Sequence, residues 1–179
     1  MVKRTEWEHI EQIGLVQDLK NLAVKYPELW GLYAVPNESG KGRMAFIRSA
    51  LLKKEGVKKG VSDLVLPVPR FRPGRPCLER IVSEESGGGD FGFPFFMGLY
   101  VEMKKQPDIS PVQNKINRHK PSGEQKAFLD FVLGQGYLGL CANGRAEGLD
   151  IFLKYLTLPK IPAADLRIDD DTLEKFGGY

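Results

Sequence analysis

Two short apolar runs in this chain carry charges where a buried strand normally carries none. The first is Gly60-Val61-Ser62-Asp63-Leu64-Val65-Leu66 and the second is Leu99-Tyr100-Val101-Glu102-Met103-Lys104. Both are built from the β-branched, aromatic and leucine side chains of a strand buried on both faces. A charge in such a strand is costly unless it is paired or bound to a metal. Strand alternation places Glu102 and Lys104 on one face and turns Met103 to the other. Asp63 and Glu102 can share one compensating partner only if their strands are neighbours. The two runs therefore constrain topology and chemistry together.

The rest of the chain supplies helices for such a sheet. Residues 5–26 read as a first helix, with Ile10, Ile13, Val16 and Leu19 at helical spacing and Pro27 closing it. Thr5 and Glu8 have the spacing of a capping box. A short strand is expected over 31–36, a loop over 37–42, and a helix over 43–54 that stops near Gly56. Prolines, arginines and the run Gly87-Gly88-Gly89 mark residues 67–94 as an extended excursion, with a short strand near 78–82. A polar connector follows over 106–120. Ser122 then caps a helix over 123–133, residues 137–142 form a strand, and a last core helix covers 145–156. This order predicts an α/β fold with a mixed central sheet and helices on both sides.

At 179 residues the chain is expected to form one domain, with a core over about 5–157 and an acidic tail over 158–179. No apolar run approaches the roughly 20 residues of a membrane span. The N-terminal residues lack a signal peptide's apolar stretch, and Cys77 and Cys141 lack zinc or disulfide spacing, so a cytoplasmic setting is expected. A net charge of +3 does not by itself point to nucleic acid. Its distribution is uneven, however. Lys41, Arg43, Arg48, Lys53, Lys54, Lys58 and Lys59 crowd the approach to Asp63 against one acid, Glu55, and Asp169-Asp170-Asp171 sit in the tail.

Asp63, Glu102 and Lys104 suit phosphodiester hydrolysis. That reaction needs a positioned water, removal of its proton, and neutralisation of charge on the phosphate. A magnesium or manganese ion on one or two carboxylates supplies these effects. Asp63 and Glu102 are the candidate ligands, with the Met103 backbone carbonyl as a third and Lys104 beside the attacking water. A lone Glu-x-Lys is more often an edge-strand ion pair. Asp63 upstream, after a glycine-rich turn and again at a strand, reverses that balance. The segment 37–42 lacks the spacing of a phosphate-binding GxxxxGK[ST] loop, and His9 and His119 are isolated.

The sequence resembles the VRR-NUC branch of the PD-(D/E)xK nuclease superfamily. The matching pieces are Pro36-Asn37, Arg43, residues 56–64 leading through Gly60-Val61-Ser62-Asp63, Val101-Glu102-Met103-Lys104, Ser122-Gly123-Glu124-Gln125, and Gly136-Tyr137 followed by Cys141. They occur in the family's order over roughly residues 6–156. The resemblance implies a restriction-endonuclease-like core and a catalytic set of Asp63, Glu102, Lys104 and Gln125. It also implies a metal-binding glutamate on the first helix, for which Glu8 is preferred over Glu6 and Glu11 because Glu8 and Gln12 share one face. By the same resemblance Asn37 and Arg43 approach the DNA backbone, with Arg48, Lys58 and Lys59 as further contacts from the basic stretch. Ser62 stands where the family commonly has proline, and the excursion after Asp63 is longer than in compact members.

The expected function is a Mg2+- or Mn2+-dependent DNA endonuclease selective for branched structures such as Holliday junctions or flaps. It would work as a homodimer in a bacterial or phage-infected cell, with no membrane partner. The alternatives are an idle nucleic-acid-binding or assembly module of the same fold, which would have lost one of Asp63, Glu102 or Lys104, and a sequence-specific restriction-type nuclease.

Overall fold

Residues 4–35, 54, 58, 60–73, 95–110 and 115–162 are described by a computed structural model. Helix α1 spans Arg4–Leu22, and a short 3-10 helix follows over Pro27–Gly31. The strands are β1 Tyr33–Ala34, β2 Leu64–Leu66, β3 Arg70–Phe71, β4 Phe95–Phe96, β5 Leu99–Lys104, β6 Asp108–Ser110, β7 Lys115–Asn117 and β8 Leu138–Asn143. Helix α2, Gly123–Gly134, precedes β8, and helix α3, Arg145–Leu156, follows it.

Strands β1, β2, β5 and β8 form the central sheet in that order. The β1–β2 and β2–β5 pairs are antiparallel and β5–β8 is parallel, so the sheet is mixed. A parallel pair needs a crossover, here made by the β6–β7 hairpin and α2. The fold is thus the α/β arrangement expected from the sequence, a mixed central sheet flanked by helices. Its two charged runs are neighbours, with Leu64 opposite Val101 and Leu66 opposite Leu99.

Alternation along β5 divides the sheet into two differently covered faces. Val101 and Met103 join Leu15 and Leu19 of α1 and Phe152 and Tyr155 of α3 in one buried cluster. Each fully buried leucine there contributes about 1.5–3 kcal/mol. Tyr100 points the other way, edge-on to Phe128 of α2 and to Tyr137, with ring centroids 5.6 and 5.3 Å away. Gly139, beside Tyr100 in the register, admits α2, since a Cβ there would lie 3.0 Å from Val132. Glu102 and Lys104 continue the Tyr100 face, toward the N-terminal end of α2.

Four local features differ from the sequence expectations. Asp63 precedes β2, whose strand is confined to Leu64–Leu66. Thr5 lies inside α1, which already includes Arg4. The polar connector contains the β6–β7 hairpin. Residues 158–161 belong to the core margin, with Ile161 buried and Pro159 O accepting from Phe71 N. The helix expected over 43–54, of which Lys54 is described and is helical, the strand near 78–82 and the tail beyond 162 lie otherwise outside the described residues. Among the described residues no helix is long and apolar enough to cross a membrane.

Candidate active site

Glu102 is 1% exposed, and its two carboxylate oxygens have different surroundings. Oε1 accepts from Lys104 Nζ at 2.7 Å and from Gln125 Nε2. Oε2 is buried with no hydrogen-bond partner among the described residues. Burial pushes the Glu102 carboxyl up from its ordinary 4.5 to about 7. The Asp63 carboxylate adds to the rise and Glu8 contributes more weakly, while Lys104 opposes both. A buried oxygen with no donor, next to a second carboxylate, is a poor way to stabilise a fold. It is a good way to receive a cation.

Asp63 sits where β2 and β5 part. Its backbone carbonyl accepts from Val35 N at 2.9 Å, which ties it to β1. Its Oδ2 accepts from Met103 N at 2.7 Å. A side-chain oxygen thus takes the amide that a longer β2 would have bound, and this ends the ladder at Leu64. Within a strand, the N–H and C=O of one residue face the same neighbour. The Met103 carbonyl therefore faces the Asp63 edge, while Lys104 O accepts from Gly144 N on the β8 side.

Gln125 is fixed by its place in the first turn of α2. Its backbone N donates to Ser122 Oγ at 3.3 Å, and its Oε1 accepts from Ser122 N at 2.8 Å, completing a capping box. With Oε1 used in this way, the amide nitrogen must face Glu102. The lead-in to Asp63 meets the same turn: Gly60 has φ +80°, and a Cβ on it would lie 2.8 Å from the Glu124 carbonyl carbon. A glycine there lets two backbones touch and fixes Asp63 relative to Gln125.

These groups open into a cleft of about 820 Å3. Asp63, Glu102, Met103, Lys104 and Gln125 line one end, and Glu8 and Gln12 of α1 form the facing wall. Glu11, the competing residue on α1, is used elsewhere: its Oε2 accepts from Arg145 N at 2.6 Å and caps α3, whose N-cap residue Gly144 has no side chain. Sequence spacing within α1 carries no signal for that cap, because its partner is 134 residues away. The side chain of Glu6 lies outside the described residues.

Among the described residues no three His, Cys, Asp or Glu side chains gather as a metal cluster. The convergent donors are the Asp63 and Glu102 carboxylates and the Met103 carbonyl edge, with Glu8 farther across the cleft. Magnesium bound through one or two carboxylates, with the remaining positions filled by water and phosphate, fits such a set. Of the expected nucleic-acid contacts, Lys58 is exposed, and Asn37, Arg43, Arg48 and Lys59 lie outside the described residues.

Neighbouring residues complete the picture. Cys141, opposite Glu102 in the register, has its thiol pushed up to about 11 by burial, which leaves it protonated and unreactive. Asn143, opposite Lys104, is buried, and its Oδ1 accepts from His119 N at 2.6 Å. That bond anchors the segment leading into Ser122, and so the cap that holds Gln125. Neither link is visible in the sequence, because each joins elements that only the register brings together.

No protein-family model matches the sequence. One solved structure similar in the course of its chain is a VRR_NUC domain protein. It is 14% identical, with a TM-score of 0.46, and the match covers 82% of this chain and 91% of that one.

Proposed function

We propose that this protein is a metal-dependent nuclease that hydrolyses DNA phosphodiester bonds at the cleft end formed by Asp63, Glu102, Lys104 and Gln125. The observation that carries this reading is the buried, unpartnered Oε2 of Glu102 beside a second carboxylate. Lys104 and Gln125 fix the other oxygen and so aim the unpartnered one.

Asp63, Glu102 and the Met103 carbonyl would hold a Mg2+ or Mn2+ ion, with Glu8 lining the same cleft. When bound, such an ion supplies charge neutralisation at the phosphate and acidifies the attacking water. The chain's own residues do the remaining work. Lys104 Nζ, on the Glu102 face of β5, orients the water as a cation while the oxygen attacks phosphorus, and solvent takes up the proton the water loses. The bond to the leaving sugar oxygen then breaks, and solvent protonates that oxygen. Gln125 keeps the Glu102 carboxylate from rotating. The wall formed by α1 and the first turn of α2 confines the reacting strand.

Shape-selective cutting of branched DNA suits a chain whose described residues place their chemistry in one cleft. A junction cut on two strands calls for two such sites, and hence a homodimer. The test is incubation of junction, flap, nicked and plain duplex DNA with magnesium or manganese. Cleavage of a branched substrate that is lost in Asp63→Asn and Lys104→Ala is expected. Retained cutting by either variant would remove these residues from the mechanism.

A further inference from the structure

Glu102 and Gln125 meet across two elements, and their hydrogen bond needs α2 to hold one position on the sheet. The capping box fixes Gln125 relative to Ser122, but both belong to the same turn. Apart from the Gly60 contact, that turn carries little packing of its own. Ser122, Gly123 and Glu124 are exposed, Gln125 is half-buried, and the first buried side chain of α2 is Leu129. Upstream of the cap, the attachment to the sheet is made by Asn143.

Asn143 is the last residue of β8, buried and opposite Lys104 in the parallel register, two pairs beyond Cys141 and Glu102. Paired residues of a sheet share a face, so its side chain lies on the Glu102 and Lys104 side. Its Oδ1 accepts from His119 N at 2.6 Å. Its own N–H donates to Glu147 Oε2 at 2.9 Å, and Glu147 Oε1 accepts from Arg118 Nη2. The end of β8 and the first turn of α3 therefore grip two successive residues, Arg118 and His119. Between His119 and Ser122 lie Lys120 and Pro121, and the proline ring fixes one of the few dihedrals that could absorb a shift. The links close on themselves. Glu102 is tied to β8 by register, Asn143 to His119, Ser122 to Gln125, and Gln125 back to Glu102. Asn143 does not line the cleft, so any influence it has on the site passes through this circuit.

We propose that Asn143 is a positioning residue, which sets Gln125 against Glu102 by holding the segment before α2 to the end of β8. The proposal rests on the hydrolase reading for the use made of the Glu102 carboxylate. It deepens that reading by naming the side chain outside the cleft that governs the geometry within it.

A positioning and a merely structural Asn143 would both add to stability, so the test reads Gln125 itself. In the proton–nitrogen NMR spectrum of the full metal-free chain, the Gln125 side-chain amide, identified by its loss in Gln125→Ala, should stand apart from those of solvent-exposed glutamines. Asn143→Ala should return it to the exposed-glutamine position. Asn143→Asp, which keeps an oxygen for His119 N, should restore it. If Asn143→Ala fails to fold, Asn143→Ser takes its place, because its hydroxyl is one bond too short to reach His119 N. The second reading is manganese affinity. Asn143→Ala and Gln125→Ala should each weaken it about tenfold. The double variant should be no weaker than Gln125→Ala alone, because residues acting in series do not add. An unmoved Gln125 signal in the folded Asn143 variant, or additive losses of manganese affinity in the double variant, would overturn the proposal. Absence of manganese binding in the wild type, with a Gln125 signal that still follows Asn143, would overturn the hydrolase reading and leave the positioning of Gln125 by Asn143 standing.

Discussion

Glu28 and Glu102 are both carboxylates enclosed by cationic or amide donors, and their electrostatics run in opposite directions. Glu28, on the 3-10 helix, receives Arg70 Nη2 and Lys160 Nζ, the latter at 3.1 Å. Burial alone would raise its pKa, but its backbone hydrogen bond and the two cations together hold it below the usual carboxylate value. Glu102 has one cation and one neutral amide, both on the same oxygen, and faces another acid. The first arrangement ties β3 and the segment around Lys160 to the 3-10 helix. The second leaves negative charge uncompensated in the core. One cluster is complete within the chain, and the other keeps a buried carboxylate oxygen with no hydrogen-bond partner among the described residues.

The sharpest way to break that comparison is chemical. Asp63→Asn or Lys104→Ala should lower DNA cleavage by about a hundred- to ten-thousand-fold. Glu28→Gln should leave the rate of cutting by folded protein unchanged. If both kinds of change reduced the rate alike, the division of labour would be wrong.

Stability separates the two glutamates with opposite signs. Removing the charge of Glu28 strands the buried Arg70 guanidinium and should cost about 3 kcal/mol in a urea titration. Glu102→Gln should stabilise the metal-free protein above pH 7 by about 2–3 kcal/mol, since the raised pKa measures what ionisation costs there. This trade of stability for a reactive site is common in enzymes.

The pH dependence follows from the same shift. Folded Glu102 keeps its proton up to about pH 7, whereas the unfolded chain releases it near 4.5. The folded state thus binds more protons over that window, and the Glu102 contribution to stability declines as pH rises through it. Thermal unfolding of the metal-free wild type should show this decline, and Glu102→Gln should flatten it. Glu28, with its lowered pKa, contributes in the opposite sense and loses its stabilisation only as the medium becomes acidic.

A smaller effect is expected at the contact that aligns the two halves of the site. Gly60→Ala places a Cβ against the Glu124 carbonyl at positive φ, and should cost about 1–3 kcal/mol. It should also lower cleavage by shifting Gln125 relative to Asp63. A destabilised variant with normal cleavage would show that Gly60 matters only to the fold.

Much of this was legible in the sequence, where the local signals were strong. Ser122 as a cap, the β5 run and the limits of α3 follow from capping chemistry and apolar periodicity. The adjacency of β2 and β5, which unites Asp63 with Glu102, was the condition on which a shared site depended, and the strand register supplies it. What escaped the sequence depends on distant partners. Asp63 leaves the strand because its side chain binds Met103 N, 40 residues away. Glu11 caps a helix from another element, and the three-residue strands of the β6–β7 hairpin are too short for alternation to show. The electrostatic contrast between Glu28 and Glu102 had no sequence signature, since each acquires its neighbours only through folding.

The measurement that bears most directly on Glu102 is a manganese titration near pH 7 in buffers of different ionisation enthalpy, which counts the protons released on binding. A carboxyl with its pKa near 7 must lose its proton to take a cation. The wild type should bind manganese and release about half a proton at pH 7, rising toward one as pH falls to 6. Glu102→Gln should bind far more weakly and release none. Manganese binding with unchanged affinity in Glu102→Gln, or no binding in the wild type, would contradict the account.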